Sequence, residues 1–332
     1  MTPVTGVEPR PAGRAPRRGL VFGAGGVLGF AWTVGALLAL RDAEDLDPGS
    51  ADMLVGTSAG SVMAAFLGAG VGLDGVYHHQ LGIPVEGDPV IDYDSAVDNG
   101  GPLPPRPKLR MGSRGLALRA ALHPRRYPPA AALSALLPRG RGSMAPIGRM
   151  VQGFVPAGQW APHPATWIVA MDYDSGRRVP FGRPGSPPAG LSEAVMASCA
   201  IPGWYAPILI GGRRYVDGGT CSATSVDLLA NQGLDEVIVL APMASFEYDM
   251  PTTMPARVER TIRRATSRRL LNEVEKVRRG GTEVTILAPG RKDLLAIGSN
   301  LMDPRRRELV LETSLKTSAA ALAERPDWLA AS

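Results

Sequence analysis

One stretch, Leu54-Val55-Gly56-Thr57-Ser58-Ala59-Gly60-Ser61-Val62, constrains this chain more than any other. An apolar run stops at Gly56-Thr57-Ser58-Ala59-Gly60, and a small-residue, helix-compatible run follows from Ser61 to Leu67. A G-x-S-x-G pattern between a strand and a helix makes a sharp turn that lifts the serine hydroxyl above the strand end. Gly56 and Gly60 leave room for the tight backbone, and the helix N-terminus favours negative charge beside the serine. Ser58 is therefore the candidate nucleophile. Alone the pattern is weak, because the chain holds 40 glycines and such clusters also form ordinary strand–helix turns. Other segments must supply a group that stabilises an anion and a base.

The first requirement points upstream. Gly19-Leu20-Val21-Phe22 reads as a short buried strand and Phe30 to Leu40 as a helix, with Gly23-Ala24-Gly25-Gly26-Val27-Leu28-Gly29 between them. A glycine-rich strand-to-helix turn presents several N–H groups to a phosphate or an oxyanion. A dinucleotide fingerprint is a poor match. Leu28 stands where its last glycine would be, and the next strand ends at Gly56 without an acidic residue. If the two strands are parallel neighbours, both turns share the carboxyl edge of one sheet. Gly25 and Gly26 can then form an oxyanion hole for Ser58, with the N–H of Ala59 adding a donor. The uncharged run from Gly19 to Leu40 also imitates a membrane span, although Gly23, Gly25, Gly26, Gly29 and Gly35 interrupt it.

The base is harder to place. The histidines are His78, His79, His123 and His163, and none follows residue 163. An α/β-hydrolase triad ends on a late histidine, so that arrangement would leave half of this chain outside the catalytic unit. Isolated surface or packing roles suit all four better. Arg214-Tyr215-Val216-Asp217-Gly218-Gly219 instead sets an aspartate at a strand end before two glycines, and Ala197-Ser198-Cys199-Ala200-Ile201-Pro202-Gly203-Trp204-Tyr205-Ala206-Pro207 precedes it. An aspartate in such a turn is commonly an Asx-type turn former.

Taken together and in order, these blocks resemble the patatin-like phospholipases. The matching stretches are Ala24 to Gly29, Gly56 to Gly60, Ala197 to Pro207 and Asp217 to Gly219; Ser299-Asn300-Leu301-Met302-Asp303 with Arg305 to Arg307 also looks like a late family segment. The resemblance implies a patatin-like layered α/β fold, with a mostly parallel central sheet flanked by helices. It implies a Ser58–Asp217 dyad, an oxyanion hole from Gly25, Gly26 and Ala59, and motif glycines at Gly29, Gly56, Gly60, Gly218 and Gly219. The activity it implies is cleavage of lipid carboxylic esters through an acyl-enzyme, without metal or cofactor. Two departures stand out. Ala24 replaces a glycine of the family's first block and Leu28 replaces a basic residue. Losing that side chain removes an electrostatic aid to the oxyanion or to a substrate phosphate, while the backbone donors stay. A lipid-binding protein with impaired catalysis and a general serine esterase are the alternative readings.

Residues 1–18, rich in Pro, Gly and Arg, read as a disordered leader, 19–320 as the hydrolase domain, and 321–332 as a tail. Within the domain, 74–160 reads as a Pro- and Gly-rich insertion. From Asn99 to Met171 there is no Asp or Glu, whereas Arg106, Lys108, Arg110, Arg114, Arg119, Arg125, Arg126, Arg139, Arg141 and Arg149 are basic. That is a solvated loop or a lid drawn to anionic lipid, aided by Leu116, Leu118, Leu122, Leu136 and Leu137. Nucleic acid is not expected as a partner, since few aromatics interleave with the charge. Asp88, Asp92, Asp94 and Asp98 do not match a calcium loop. The formal charge of +5 permits an anionic partner, and Cys199 and Cys221 read as free thiols of a reducing compartment. The expected location is cytoplasmic, with peripheral membrane contact allowed. Further strands are expected at Trp167–Ala170, Val237–Leu240 and Val284–Leu287, and helices at Ser192–Cys199, Val226–Gln232 and Arg257–Arg279, the last with a solvated basic face.

Overall fold

The computed structural model describes residues 15–83, 107–247 and 253–324. The strands are β1 (Arg18–Phe22), β2 (Met53–Thr57), β3 (Lys108–Met111), β4 (Pro138–Arg139), β5 (Thr166–Asp172), β6 (Arg178–Phe181), β7 (Ile208–Ile210), β8 (Arg213–Asp217), β9 (Glu236–Leu240) and β10 (Glu283–Leu287). The helices are α1 (Gly26–Glu44), α2 (Ala59–Gly68), α3 (Leu73–Leu81), α4 (Arg114–Leu122), α5 (Pro129–Leu136), α6 (Ala145–Gln152), α7 (Leu191–Cys199), α8 (Met254–Arg278), α9 (Arg291–Ile297) and α10 (Arg307–Ala323).

Eight strands form the main sheet in the order β10-β9-β1-β2-β5-β8-β7, with β6 paired to β5 outside that path. Pairing is parallel from β10 through β5, and antiparallel where β5 meets β6 and β8 and where β8 meets β7. The fold is therefore α/β with a mostly parallel sheet. Its central strands are apolar on both faces because helices cover both. Leu20, Phe22, Leu54 and Ile168 face one layer with α1, α2, α7 and α10, while Val21, Val55, Trp167 and Val239 face Leu270, Val274 and Val277 of α8. This period of two sorts each strand's side chains between two cores.

Helix α1 explains the run that imitates a membrane span. It is long and apolar enough to cross a bilayer, but 78% of its most apolar window is buried inside the protein. Gly35 is what allows this: a Cβ there would lie 2.4 Å from the Leu311 carbonyl oxygen, so α10 packs backbone to backbone against it. Ser314 on α10 donates to the Trp32 carbonyl at 2.6 Å across the same seam.

Elsewhere the structure departs from the sequence reading. Helix α1 starts at Gly26, four residues before the expected Phe30, and Val226–Leu229 is only a short 3-10 turn. The basic face of α8 is not wholly solvated. Arg263 is 1% exposed and Arg260 8%, and Arg263 donates to the Pro242 and Ala244 carbonyls and to Glu259. A helix lying on the carboxyl end of β9 must satisfy those carbonyls, and an arginine reaches them. The cluster Asp88, Asp92, Asp94 and Asp98 lies outside the described residues, as does most of the leader and the tail.

Candidate active site

Register brings the two glycine turns together. Phe22 of β1 pairs with Gly56 of β2, and Thr57 pairs with Val169 of β5, so β1 and β2 end side by side at one sheet edge. Ser58 follows at φ 54°, ψ −124°, a left-handed conformation costly for any residue with a Cβ. The turn closes only because its flanks are bare: a Cβ at Gly60 would sit 2.0 Å from the Phe22 oxygen, and one at Gly56 would sit 2.2 Å from the Gly60 oxygen. Three hydrogen bonds hold the strained residue. The Ser58 N–H donates to Ser198 Oγ at 2.8 Å, Ser198 donates to the Val169 carbonyl at 2.6 Å, and Ser61 Oγ donates to the Ser58 carbonyl at 2.6 Å.

The second carbonyl-edge group arrives from the opposite direction. Strand β8 is antiparallel to β5 and ends with Asp217 opposite Ala170, one residue past the level of Thr57. Asp217 is 6% exposed and Ser58 7%. Burial pushes the Asp217 carboxyl up to about 6, and the Gly219 N–H, donating to it at 2.7 Å, together with the nearby Ser58 side chain, only partly offsets this. The Ala197–Pro207 block now has a physical role. Ser198 braces the serine turn, the Ala200 carbonyl accepts the Asp217 N–H at 3.0 Å, and Ile201 and Tyr205 line the cavity over Ser58.

In the first glycine turn, the N–H groups of Gly23, Ala24, Leu28 and Gly29 donate to backbone carbonyls at 2.8–3.0 Å. The N–H groups of Gly25 and Gly26 donate to no backbone carbonyl among the described residues, while the Gly25 carbonyl accepts the Gly29 N–H. Gly26 takes φ 62° and opens α1, so its N–H belongs to a helix N-terminus; Ala59 opens α2 in the same way. Two helix N-termini thus face the Ser58 region. Gly29 packs on Pro242, and Gly218 lies flat against the Val169 carbonyl. Leu28 is fully buried in the apolar core, and its N–H donates to Leu301 at 3.0 Å. The Ser299–Asp303 segment therefore closes over the first turn, and Met302 reaches the cavity.

The cavity above Ser58 is open at its mouth, with Val62, Phe30, Ile147, Met150, Ile201 and Met302 among its apolar walls. Sequence reasoning missed Met144, Ile147 and Met150 of the α6 region, whose apolar spacing reads equally well as core. It also missed His79, which lines the cavity with its ring tilted against Phe66 at 5.4 Å between centroids. His163 is elsewhere: its Nε2 lies 2.7 Å from the Ala51 carbonyl, ahead of β2 and so at the opposite sheet edge from Ser58. His123 is exposed at the end of α4. Cys199 borders the cavity, but burial pushes its thiol up to about 12 and keeps it protonated.

Among solved structures, the crystal structure of VipD from Legionella pneumophila aligns with 93% of this chain and 67% of that one, at 11% identity and a TM-score of 0.46. A family model for patatin-like phospholipase matches residues 20–230, a span that holds both glycine turns, Ser58 and Asp217. The chain belongs to the patatin-like phospholipase family.

Proposed function

We propose that the protein is a lipid acyl hydrolase in which Ser58 attacks a carboxylic ester and Asp217 moves the protons. The observation that carries this reading is a serine held in a strained turn, at the level of the sheet edge where a buried aspartate ends β8, and lining an apolar cavity. Asp217 takes the Ser58 proton as Oγ bonds to the ester carbon. The Gly25, Gly26 and Ala59 N–H groups receive the oxyanion. Collapse of the tetrahedral adduct breaks the ester bond, and Asp217 returns its proton to the departing alcohol. A water then gives a proton to Asp217 and attacks the acyl-enzyme; as the Oγ–acyl bond breaks and the fatty acid leaves, Asp217 returns that proton to Ser58 Oγ. A carboxyl near 6 suits this exchange, because it is ionised at neutral pH yet closer in basicity to the groups it serves than an exposed aspartate. The apolar walls favour an acyl chain, so a lipid ester is the substrate class.

Intact-mass measurement after treatment with an alkyl fluorophosphonate tests the nucleophile. One adduct is expected on the wild type and none on Ser58→Ala. Lipid-ester turnover should fall by at least a thousandfold, roughly the scale of losing a catalytic nucleophile or base, in both Ser58→Ala and Asp217→Asn. A folded wild type that binds vesicles but takes no label and cleaves no ester would establish the lipid-binding alternative instead.

A further inference from the structure

Beyond the carboxyl end of β5 lies a second pocket, separate from the cavity over Ser58. Arg110 of β3, Arg114 of α4, Arg139 of β4 and Arg214 of β8 line it together with Asp174. Asp174 is already matched. Arg214 forks onto it through Nε at 3.1 Å and through Nη2, and Ser113 Oγ donates to it at 3.0 Å. Arg110, Arg114 and Arg139 have no acidic partner among the described residues. Three arginines therefore line one cavity without an acidic partner among the described residues, an arrangement that attracts an anion.

The pocket is held in place rather than draped. Lys108 pairs with Arg139 across the β3–β4 ribbon, the Gly112 N–H donates to the Leu137 carbonyl at 2.8 Å, and a Cβ at Gly112 would fall 1.9 Å from the Tyr173 hydroxyl oxygen. Guanidinium forks pair bidentately with phosphate as they do with carboxylate, and a phosphate monoester has three free oxygens to share among several arginines. Helix α4 runs on from Arg114 and Gly115 of the pocket, and with α5 it buries Leu116, Ala120, Ala131 and Ala135 and leaves Leu118, Leu122, Leu133 and Leu136 at 57–65% exposure. Exposed leucines beside a phosphate pocket serve no purpose for a small dissolved phosphate, but they fit a bilayer, where the headgroup and acyl regions lie one above the other. The chain also links this face to the active site. From Arg139 it passes Gly140 and Gly142, which lie against the Tyr205 backbone, and reaches Met144 in the cavity wall.

We propose that the Arg110–Arg114–Arg139 pocket binds the phosphate of an anionic membrane lipid while the α4–α5 leucines enter the bilayer around it, setting the mouth of the Ser58 cavity beside the lipid surface. The proposal concerns binding, so it is tested on the Ser58→Ala protein, where hydrolysis plays no part and a failure of the hydrolase reading does not alter the result. Phosphatidylcholine vesicles are prepared with either phosphatidic acid or phosphatidylserine and matched for surface charge. Flotation should show tighter binding to phosphatidic acid, because its monoester phosphate offers the oxygens that the forks need. Arg114→Ala with Arg139→Ala should weaken that binding by at least about tenfold, given roughly fivefold for each basic residue at an anionic surface, and should abolish the preference. Arg125→Ala with Arg126→Ala, exposed in the turn between α4 and α5 and outside the pocket, should leave the preference for phosphatidic acid intact. Equal binding to both lipids by the unaltered pocket, or a preference that survives the Arg114 and Arg139 changes, would overturn the proposal in favour of a diffuse basic surface. Calorimetric titration with inorganic phosphate should show weak binding at most. Micromolar affinity without vesicles would overturn the membrane assignment.

Discussion

Ser58 and Asp217 are each held in a state that is costly in isolation, and the two costs yield separate measurements. For Asp217, the step from 3.8 to about 6 corresponds to on the order of 3 kcal/mol. The folded chain binds this proton more tightly than the unfolded one, so the contribution favours folding below about pH 4 and is lost as pH rises toward 6. Asp217→Asn should therefore raise the melting temperature at pH 7.5, and the gain should vanish near pH 4 in scans across that range. Turnover runs the other way. A base must be ionised, so kcat/KM should climb tenfold per pH unit below about 6 and level off above it. A flat acidic limb would remove Asp217 from the role of base. For Ser58, a left-handed backbone in a residue with a Cβ costs about 1–3 kcal/mol. Ser58→Gly should thus stabilise the fold by about 1 kcal/mol after the glycine's extra unfolded-state entropy, whereas Ser58→Ala should not, and both should be inert. Denaturant midpoints of the two variants give the comparison.

At the scale of elements, what was legible followed period and punctuation. The strands β1, β2, β9 and β10 were readable because buried parallel strands are uninterrupted apolar runs bounded by glycine or charge. Helix α1 began earlier than expected because glycines at its first turn cost little where N–H groups lack intrahelical partners anyway. The direction of β8 was not legible: Arg-Arg-Tyr-Val-Asp says strand, but nothing in it says antiparallel, and that direction is what delivers Asp217 to Ser58. Nor could charge count distinguish Arg263, which is buried, from its solvated neighbours on α8. Its position has a consequence. Arg263 fixes the Pro242 carbonyl, and the Pro242 ring packs on Gly25 and Gly29 of the first turn. Removing one partner of a buried ion pair costs about 3–5 kcal/mol. Arg263→Ala should lose that much stability in urea titrations, and any folded fraction should show lowered kcat with KM nearly unchanged, since the donors of the turn move while the cavity walls stay.

For the whole molecule, the parts of the site are scattered along the chain, and the family match stops before the fold does. Residues 20–230 hold the serine, the aspartate and both glycine turns. Yet β1, which carries the first turn, has β9 as one of its two sheet partners, with Gly19 against Val237 and Phe22 against Leu240. Next to β9 lies β10, and α8 covers the face of the sheet formed by Val21, Val55 and Val239. On the other face α10 seals α1, whose apolar length would otherwise meet water. Burying a single large apolar side chain contributes about 1.5–3 kcal/mol. Val237, Val239, Leu240, Leu270, Val274, Val310 and Leu311 all lie beyond residue 230 and are buried. Their summed contribution is as large as the whole net stability of about 5–15 kcal/mol that holds an ordinary domain together. A fragment ending at residue 230 should therefore be produced as aggregate, or as a chain that trypsin degrades throughout, although it carries every proposed catalytic residue. A fragment ending at residue 324 should resist trypsin and take the fluorophosphonate label like the full chain. A soluble, protease-resistant and labelled 230-residue fragment would show instead that the six main-sheet strands before residue 230 suffice as a folding unit, and that the carboxyl-terminal layer is an addition to it.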